Sequence, residues 1–199
     1  LGKYRQAIHL EGQAAVIEEF ASATIPGLLQ IPSFARHSLR AGQQHATEQE
    51  IDALLAARLE RQKRLDSTTP PRCWFILDEA TLRRPVGGLH VMCEQLTALA
   101  DEKRSFITIQ VLPFAAGEHP EMGGSLMLYT LPAGGVIAWA EGAKNGEVID
   151  EMPKVAERRE SYDLLRAQAL SPRDSRAMIR RILKEYGRAS RDAGRMAKE

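Results

Sequence analysis

The chain has 199 residues, 44% of them hydrophobic and 27% charged, with a formal net charge of +1. That is the composition of an ordinary globular protein with room for a substantial core, and near-neutrality argues against a whole-chain electrostatic drive toward nucleic acid or membrane. No apolar stretch approaches the roughly 20 residues of a membrane span, and no basic start with an apolar run marks a signal peptide.

In chain order, Tyr4 and Ile8 lie one turn apart and predict an N-terminal helix. Residues 14–20 turn toward an extended form, which Pro26-Gly27 breaks. A short helix is expected from Ser33, a good N-cap residue, to Gly42. Thr47 with Glu50 reads as a capping box opening the next helix, whose apolar stripe is Ile51, Leu54, Leu55, Leu59 and Leu65. Arg58 falls inside that stripe and Arg61 flanks it. An inward arginine must find an acceptor, because an unpaired buried charge is very costly.

Cys73 through Leu77 is a continuous apolar run, expected as a buried strand that Asp78-Glu79 ends. A helix from Leu89 presents Met92, Cys93, Leu96, Leu99 and Ala100 on one face. Residues 106–112 read as a strand ended by Pro113, followed by a Gly-rich loop with His119-Pro120. Segments 125–131 and 136–140 read as a hairpin joined by Pro132-Ala133-Gly134-Gly135. Two helices close the chain. One spans about 153–169 with Val155, Tyr162 and Leu165 inward; the other runs to about Tyr186 with Met178, Ile179, Ile182 and Leu183 inward.

The expected fold is therefore α+β: a small, mostly antiparallel sheet flanked by N- and C-terminal helices, in a single domain over 1–186. Residues 187–199 are expected to form a basic, frayed tail. Residues 171–199 carry a balance of +5, leaving −4 on the rest. Cys73 and Cys93 form no CxxC pair and read as reduced thiols, which suits the cytoplasm.

The leading candidate site combines Arg58, Arg61, Glu79 and Arg83. Glu79 stands at a strand end and Arg83 lies four residues on, one helical turn away. Guanidinium forks match carboxylates, so the group is either a buried ion-pair network or a pocket for a polar or anionic ligand. His119 is a second candidate, as ligand contact, general base or pH-sensitive group, or else a turn-stabilising side chain; Glu141 is expected either at the same pocket mouth or solvated, with Trp74, Trp139 and Met127 as apolar wall. Glu18 and Glu19 are neighbours in an extended segment, so they point to opposite faces and cannot act together. Glu11 is expected at the surface or as a partner for one of the arginines. The five His residues show neither HxxxH nor HxH, so no metal or cofactor is expected, and GxSxG, Walker and GxGxxG patterns do not occur.

Several phrases recur together: Thr24-Ile25-Pro26-Gly27-Leu28-Leu29-Gln30, Ala57-Arg58-Leu59-Glu60-Arg61-Gln62, Leu77-Asp78-Glu79-Ala80 with Leu82-Arg83-Arg84-Pro85, Ile109-Gln110-Val111-Leu112-Pro113-Phe114, His119-Pro120 and Ala169-Leu170-Ser171-Pro172. Their order and spacing, from about Tyr4 to Ile182, resemble the uncharacterised domain found C-terminal to Xre-type helix-turn-helix domains in actinobacterial transcription regulators. The resemblance implies a cytoplasmic effector domain that senses a small molecule or a small acidic partner protein. DNA would be reached only through a helix-turn-helix module, which is not read in this chain. Two other functions compete: an enzyme (hydrolase, isomerase or cyclase) using Glu79 or His119 as acid/base, and a scaffold forming a homodimer through the helices of 153–186.

Overall fold

The computed structural model describes residues 2–142 and 145–196. A first helix, α1 (Gly2–Gln13), leads into strand β1 (Val16–Ala21). Helices α2 (Pro32–Gly42) and α3 (Glu48–Gln62) follow, then β2 (Arg72–Asp78), the one-turn helix α4 (Glu79–Arg83), α5 (Gly88–Ala100) and β3 (Ile107–Leu112). Strands β4 (Ser125–Thr130), β5 (Val136–Glu141) and β6 (Gly146–Ile149) complete the sheet, and α6 (Met152–Gln168) and α7 (Pro172–Met196) close the chain.

The strands form one six-stranded sheet in the order β3-β2-β1-β4-β5-β6. Pairings β1–β2 and β2–β3 are parallel; β1–β4, β4–β5 and β5–β6 are antiparallel. The class is α+β in a single domain; three of the five pairings are antiparallel, as expected for most of the sheet, but two are parallel, so the sheet is mixed. The cause lies in the connections. Helices separate β1 from β2 and β2 from β3, and helical crossovers place consecutive strands parallel, whereas the short links after β4 make hairpins. Strand β6 was not read from the sequence at all, because four residues starting at glycine carry almost no alternation.

Pleat alternation gives the sheet two faces. On the first, Ile17, Ala21, Phe75, Leu77, Val111, Tyr129 and Trp139 join residues of α1, α2, α5 and α7 in the larger core. On the second, Phe20, Ile76, Leu126, Leu128 and Ala138 pack on Val155, Tyr162 and Leu165 of α6. The two closing helices therefore do not form the pair envisaged for a dimer scaffold, since they cover opposite faces of one sheet. Helix α7 also continues past Tyr186 to Met196, where fraying was expected; residues 197–199 lie outside the described residues.

Local signals are realised closely at several termini. Thr47 Oγ1 accepts from the Glu50 amide at 3.2 Å while the Glu50 carboxylate accepts from the Thr47 amide at 2.7 Å, the reciprocal capping box. Helix α2 starts at Pro32, one residue before the expected Ser33 cap, because proline is favoured in the first turn. Of the α3 stripe only Ile51 and Leu65 are buried, Leu65 lying in the turn just beyond the helix, and Leu54 is exposed. Helix α3 packs against α2 and the turn at Gly27–Leu29 rather than on the sheet, so it has less apolar surface to cover.

Candidate functional site

A cavity of about 160 Å³ opens on the first face of the sheet, between α1, α3, the loop after β1, and strands β1, β4 and β5. Its lining includes Tyr4, Ile8, Glu11, Glu19, Gln30, Arg58, Arg61, Met127, Tyr129, Trp139 and Glu141. Strand register builds the floor: Glu19 stands opposite Met127, and Met127 opposite Trp139, so three first-face side chains lie in one row across β1, β4 and β5. Trp139 lies flat against Gly146, where any Cβ would collide with the indole ring.

The wall on the α3 side is pinned by amides. Gln62 donates to the carbonyls of Gly27 and Gln30, each at 2.8 Å. The Gln30 side chain donates to the Ile25 carbonyl at 2.7 Å and accepts from Arg58 Nη1 at 2.7 Å. Gln95 of α5 donates to the Leu29 carbonyl at 2.8 Å and accepts from the Ile31 amide at 2.8 Å. The phrases at 24–30 and 57–62 thus form one unit, a rigid loop whose backbone polar groups are satisfied from two helices.

Charges within the cavity are unequally matched. Arg61 grips Glu11 with two parallel hydrogen bonds, Nε to Oε1 at 2.8 Å and Nη2 to Oε2 at 2.7 Å, the bidentate geometry of a strong pair. Burial opposes the Arg61 charge, but the Glu11 bonds more than offset it and raise its pKa. Arg58 donates to the neutral Gln30 at 2.7 Å and has the Tyr4 hydroxyl beside it, with no carboxylate bonded to it among the described residues, and burial pulls its pKa down. Glu19 is 93% buried by area and forms no hydrogen bond or ion pair among the described residues. Burial, reinforced by the charges of Glu11 and Glu141 and opposed by Arg61, pushes its carboxyl up to about 8. It is thus a neutral acid at pH 7. Burial also raises the Glu141 carboxyl, against the opposing effects of Trp139 and Arg58.

Five of the residues singled out from sequence, Arg58, Arg61, Met127, Trp139 and Glu141, meet in this cavity. The other four do not, which corrects the single-constellation reading. Glu79 is buried at the start of α4, accepting from Arg83 Nε at 2.5 Å and from the Phe114 amide at 2.9 Å. Arg83 also reaches Glu185 of α7 at 3.0 Å. The i,i+4 pair exists as expected, but it clamps α4 between the loop after β3 and α7. Trp74 lies on the second face, donating to Gln110 at 2.7 Å with Arg166 stacked 5.2 Å from its ring centre. His119 sits edge-on to Phe20 at 5.2 Å, with Nε2 3.8 Å from Asp78 Oδ2. The separation follows from alternation: Phe20 and Trp74 face α6, whereas Glu19 and Trp139 face α1.

Glu19, Tyr129 and Gln30 were missed from sequence as site residues. The signal for Glu19 was present: two acids inside the apolar strand Val16–Ala21 cannot both be solvated when both faces of the sheet are covered. Among the described residues no group of three or more His, Cys, Asp or Glu side chains is placed to hold a metal ion, and no helix is long and apolar enough to cross a membrane.

The sequence matches, over residues 4–181, a family described as "Domain of unknown function (DUF5753)". The match spans most of the chain, which therefore belongs to that family. No curated protein and no solved structure matches it.

Proposed function

We propose that this DUF5753 domain is a sensing module that admits a small polar molecule to the cavity beneath α1, and that it serves as the effector half of a bacterial helix-turn-helix regulator. The observation carrying this reading is the unpartnered, buried Glu19 carboxyl facing a cavity beside an already satisfied Arg61–Glu11 pair. The Glu19 oxygens open onto the cavity rather than into the packed core, and an acid held in such a concave site with no counter-ion of its own suits a binding function.

The cavity wall also suits a relay. Tyr4, Ala7, Ile8 and Glu11 line it from α1, the first helix described. A ligand that fixes α1 against α3 and β1 would be felt by any DNA-reading module attached ahead of that helix, through the differential contacts that a population shift requires. The acid/base reading finds less support, since both oxygens of the Glu79 carboxylate are engaged in structural bonds.

Native mass spectrometry tests the proposal. The purified domain is incubated with a low-molecular-weight cell extract from a bacterium encoding it. An added small mass, lost in Glu19→Gln, is the expected result. A bare chain at every extract concentration, with the fold intact by circular dichroism, would reject small-molecule sensing.

A further inference from the structure

We infer that the molecule taken up in this cavity is a small organic cation, a protonated amine whose nitrogen docks against the Glu19 carboxyl. The inference rests on the sensing assignment above and gives it a ligand class.

The charge layout favours a cation at Glu19 specifically. The groups facing it are Glu11 from α1, Glu141 from β5 and Arg61 from α3, with the Tyr129 hydroxyl from β4 and the Cys73 thiol from β2. Arg61 is committed to Glu11 by two hydrogen bonds, so the field remaining at Glu19 is that of carboxyl groups. Arg58 also lines the cavity without an acid bonded to it, but its charge acts on Glu141, whose carboxylate it favours, and not on Glu19. An ammonium supplies up to three donors and a positive charge, which are what an unpaired buried carboxyl lacks.

Size narrows the class further. A cavity of about 160 Å³ is comparable to engineered cavities that hold one benzene, so a ligand of about six to eight non-hydrogen atoms is the limit. Met127 and Ile8 offer an apolar wall for a short hydrocarbon portion.

Uptake is then an exchange. The neutral Glu19 acid gives its proton to solvent as the ammonium arrives, and the resulting carboxylate pairs with the bound cation. One proton leaves for each amine bound below pH 8. Affinity therefore rises with pH, about tenfold per unit, until Glu19 is already ionised, and levels off above that point. A site whose acid is ionised throughout would instead give a flat affinity over the same range.

The test uses the intact chain and defined probes: n-butylamine, pyrrolidine and 1,4-diaminobutane, against n-butanol and butyrate as uncharged and anionic counterparts. Titration calorimetry at pH 6.5 and pH 9 in two buffers of different ionisation enthalpy reads affinity and protons released. At least one amine is expected to bind, with close to one proton released at pH 6.5 and none at pH 9, while butanol and butyrate do not bind. Glu19→Gln is expected to weaken amine binding about 10–100-fold and abolish proton release. Should that variant fail to fold, proton release by the unmodified domain decides the matter alone. Binding of butyrate in preference to amines, or amine binding without proton release, would overturn the inference. If no probe binds while an extract molecule is still retained in a Glu19-dependent way, sensing stands and the cation assignment falls. If neither occurs, both fall.

Discussion

Glu18 and Glu19 are consecutive residues of one buried strand, and they have opposite fates. Glu18 faces α6, where Arg159 Nη2 meets it at 2.6 Å. Glu19 faces the cavity with no partner among the described residues, and its carboxyl is held neutral at pH 7. Both are equally buried, so burial alone does not separate them. The difference lies in what each face supplies: the α6 face a guanidinium whose job is to neutralise one carboxylate, the α1 face a guanidinium already taken by Glu11. This unequal treatment of two neighbouring acids is what the proposed binding role of the cavity rests on.

The sharpest way to break this comparison is to remove the taken guanidinium. Arg61→Ala strands Glu11 in a buried position and deprives Glu19 of its one opposing charge. Breaking a buried pair by deleting one partner costs about 4 kcal/mol, read as a lower midpoint in urea at unchanged slope. Replacing both partners, as in Arg61→Met with Glu11→Gln, is expected to recover most of that loss, because no uncompensated charge remains. A loss below about 1 kcal/mol in the single variant would mean that Glu11 and Arg61 are solvated independently.

Next in size is a pH effect on the unpaired acid. The Glu19 carboxyl is raised from 4.5 to about 8 on folding. Between those values the folded chain holds a proton that the unfolded chain has released, so folding takes up a proton and stability falls as pH rises. The contribution is fully present below pH 4.5, declines by at most about 1.4 kcal/mol per unit, and is exhausted above about pH 8. Glu19→Gln keeps the neutral hydrogen-bonding group and lacks this slope, so the variant overtakes the unmodified chain as pH rises from 5 to 8. Denaturant titrations at pH 5, 6.5 and 8 check this; parallel curves for the two proteins would show that Glu19 is ionised in the fold.

Much of the fold was legible because it rests on local chemistry. The Thr47–Glu50 box, the apolar run at Cys73–Leu77, the hairpin at residues 132–135 and the inward faces of α6 and α7 all follow from period and capping. The parallel half of the sheet was misjudged because strand direction depends on which crossover packs where, although helices between β1, β2 and β3 carried the hint. The site was half legible. Arg58 and Arg61 betrayed themselves as charges on an apolar stripe, and the opposite orientations of Glu18 and Glu19 followed from the two-residue period. What no spacing rule supplied was the partner list: that Arg61 would choose Glu11, fifty residues away, rather than Glu79 or Glu19. Ion pairing between distant segments is settled only by the tertiary fold.

On the α6 face, Arg159→Ala removes the single counter-charge of Glu18, whose side chain is 12% exposed. Arg159 itself is 30% exposed, so water can approach and the expected loss is smaller than for Arg61, about 2 kcal/mol. Ligand uptake in the cavity should be unaffected, because Arg159 lies on the other side of the sheet. A loss of uptake equal to that of Glu19→Gln would erase the distinction between the two faces.

The smallest expected effect on stability discriminates most within the cavity. Arg58 and Arg61 sit one turn apart on α3, yet Arg58 donates to the neutral Gln30 at 2.7 Å and, among the described residues, to no carboxylate. Arg58→Ala strands no bonded ion-pair partner, the half-buried Glu141 carboxyl can take up a proton, and Gln30 keeps its bond to the Ile25 carbonyl, so about 1 kcal/mol of stability is at stake. The freed Gln30 oxygen faces a cavity that water can enter, which limits the loss further. If Arg58 is instead the residue whose removal unfolds the domain and Arg61 the one whose removal is tolerated, then the Glu11–Arg61 pair is not the clamp and the field at Glu19 has been assigned the wrong sign. The ordering of these two variants in one denaturation experiment therefore tests the electrostatic basis of the site before any ligand is known.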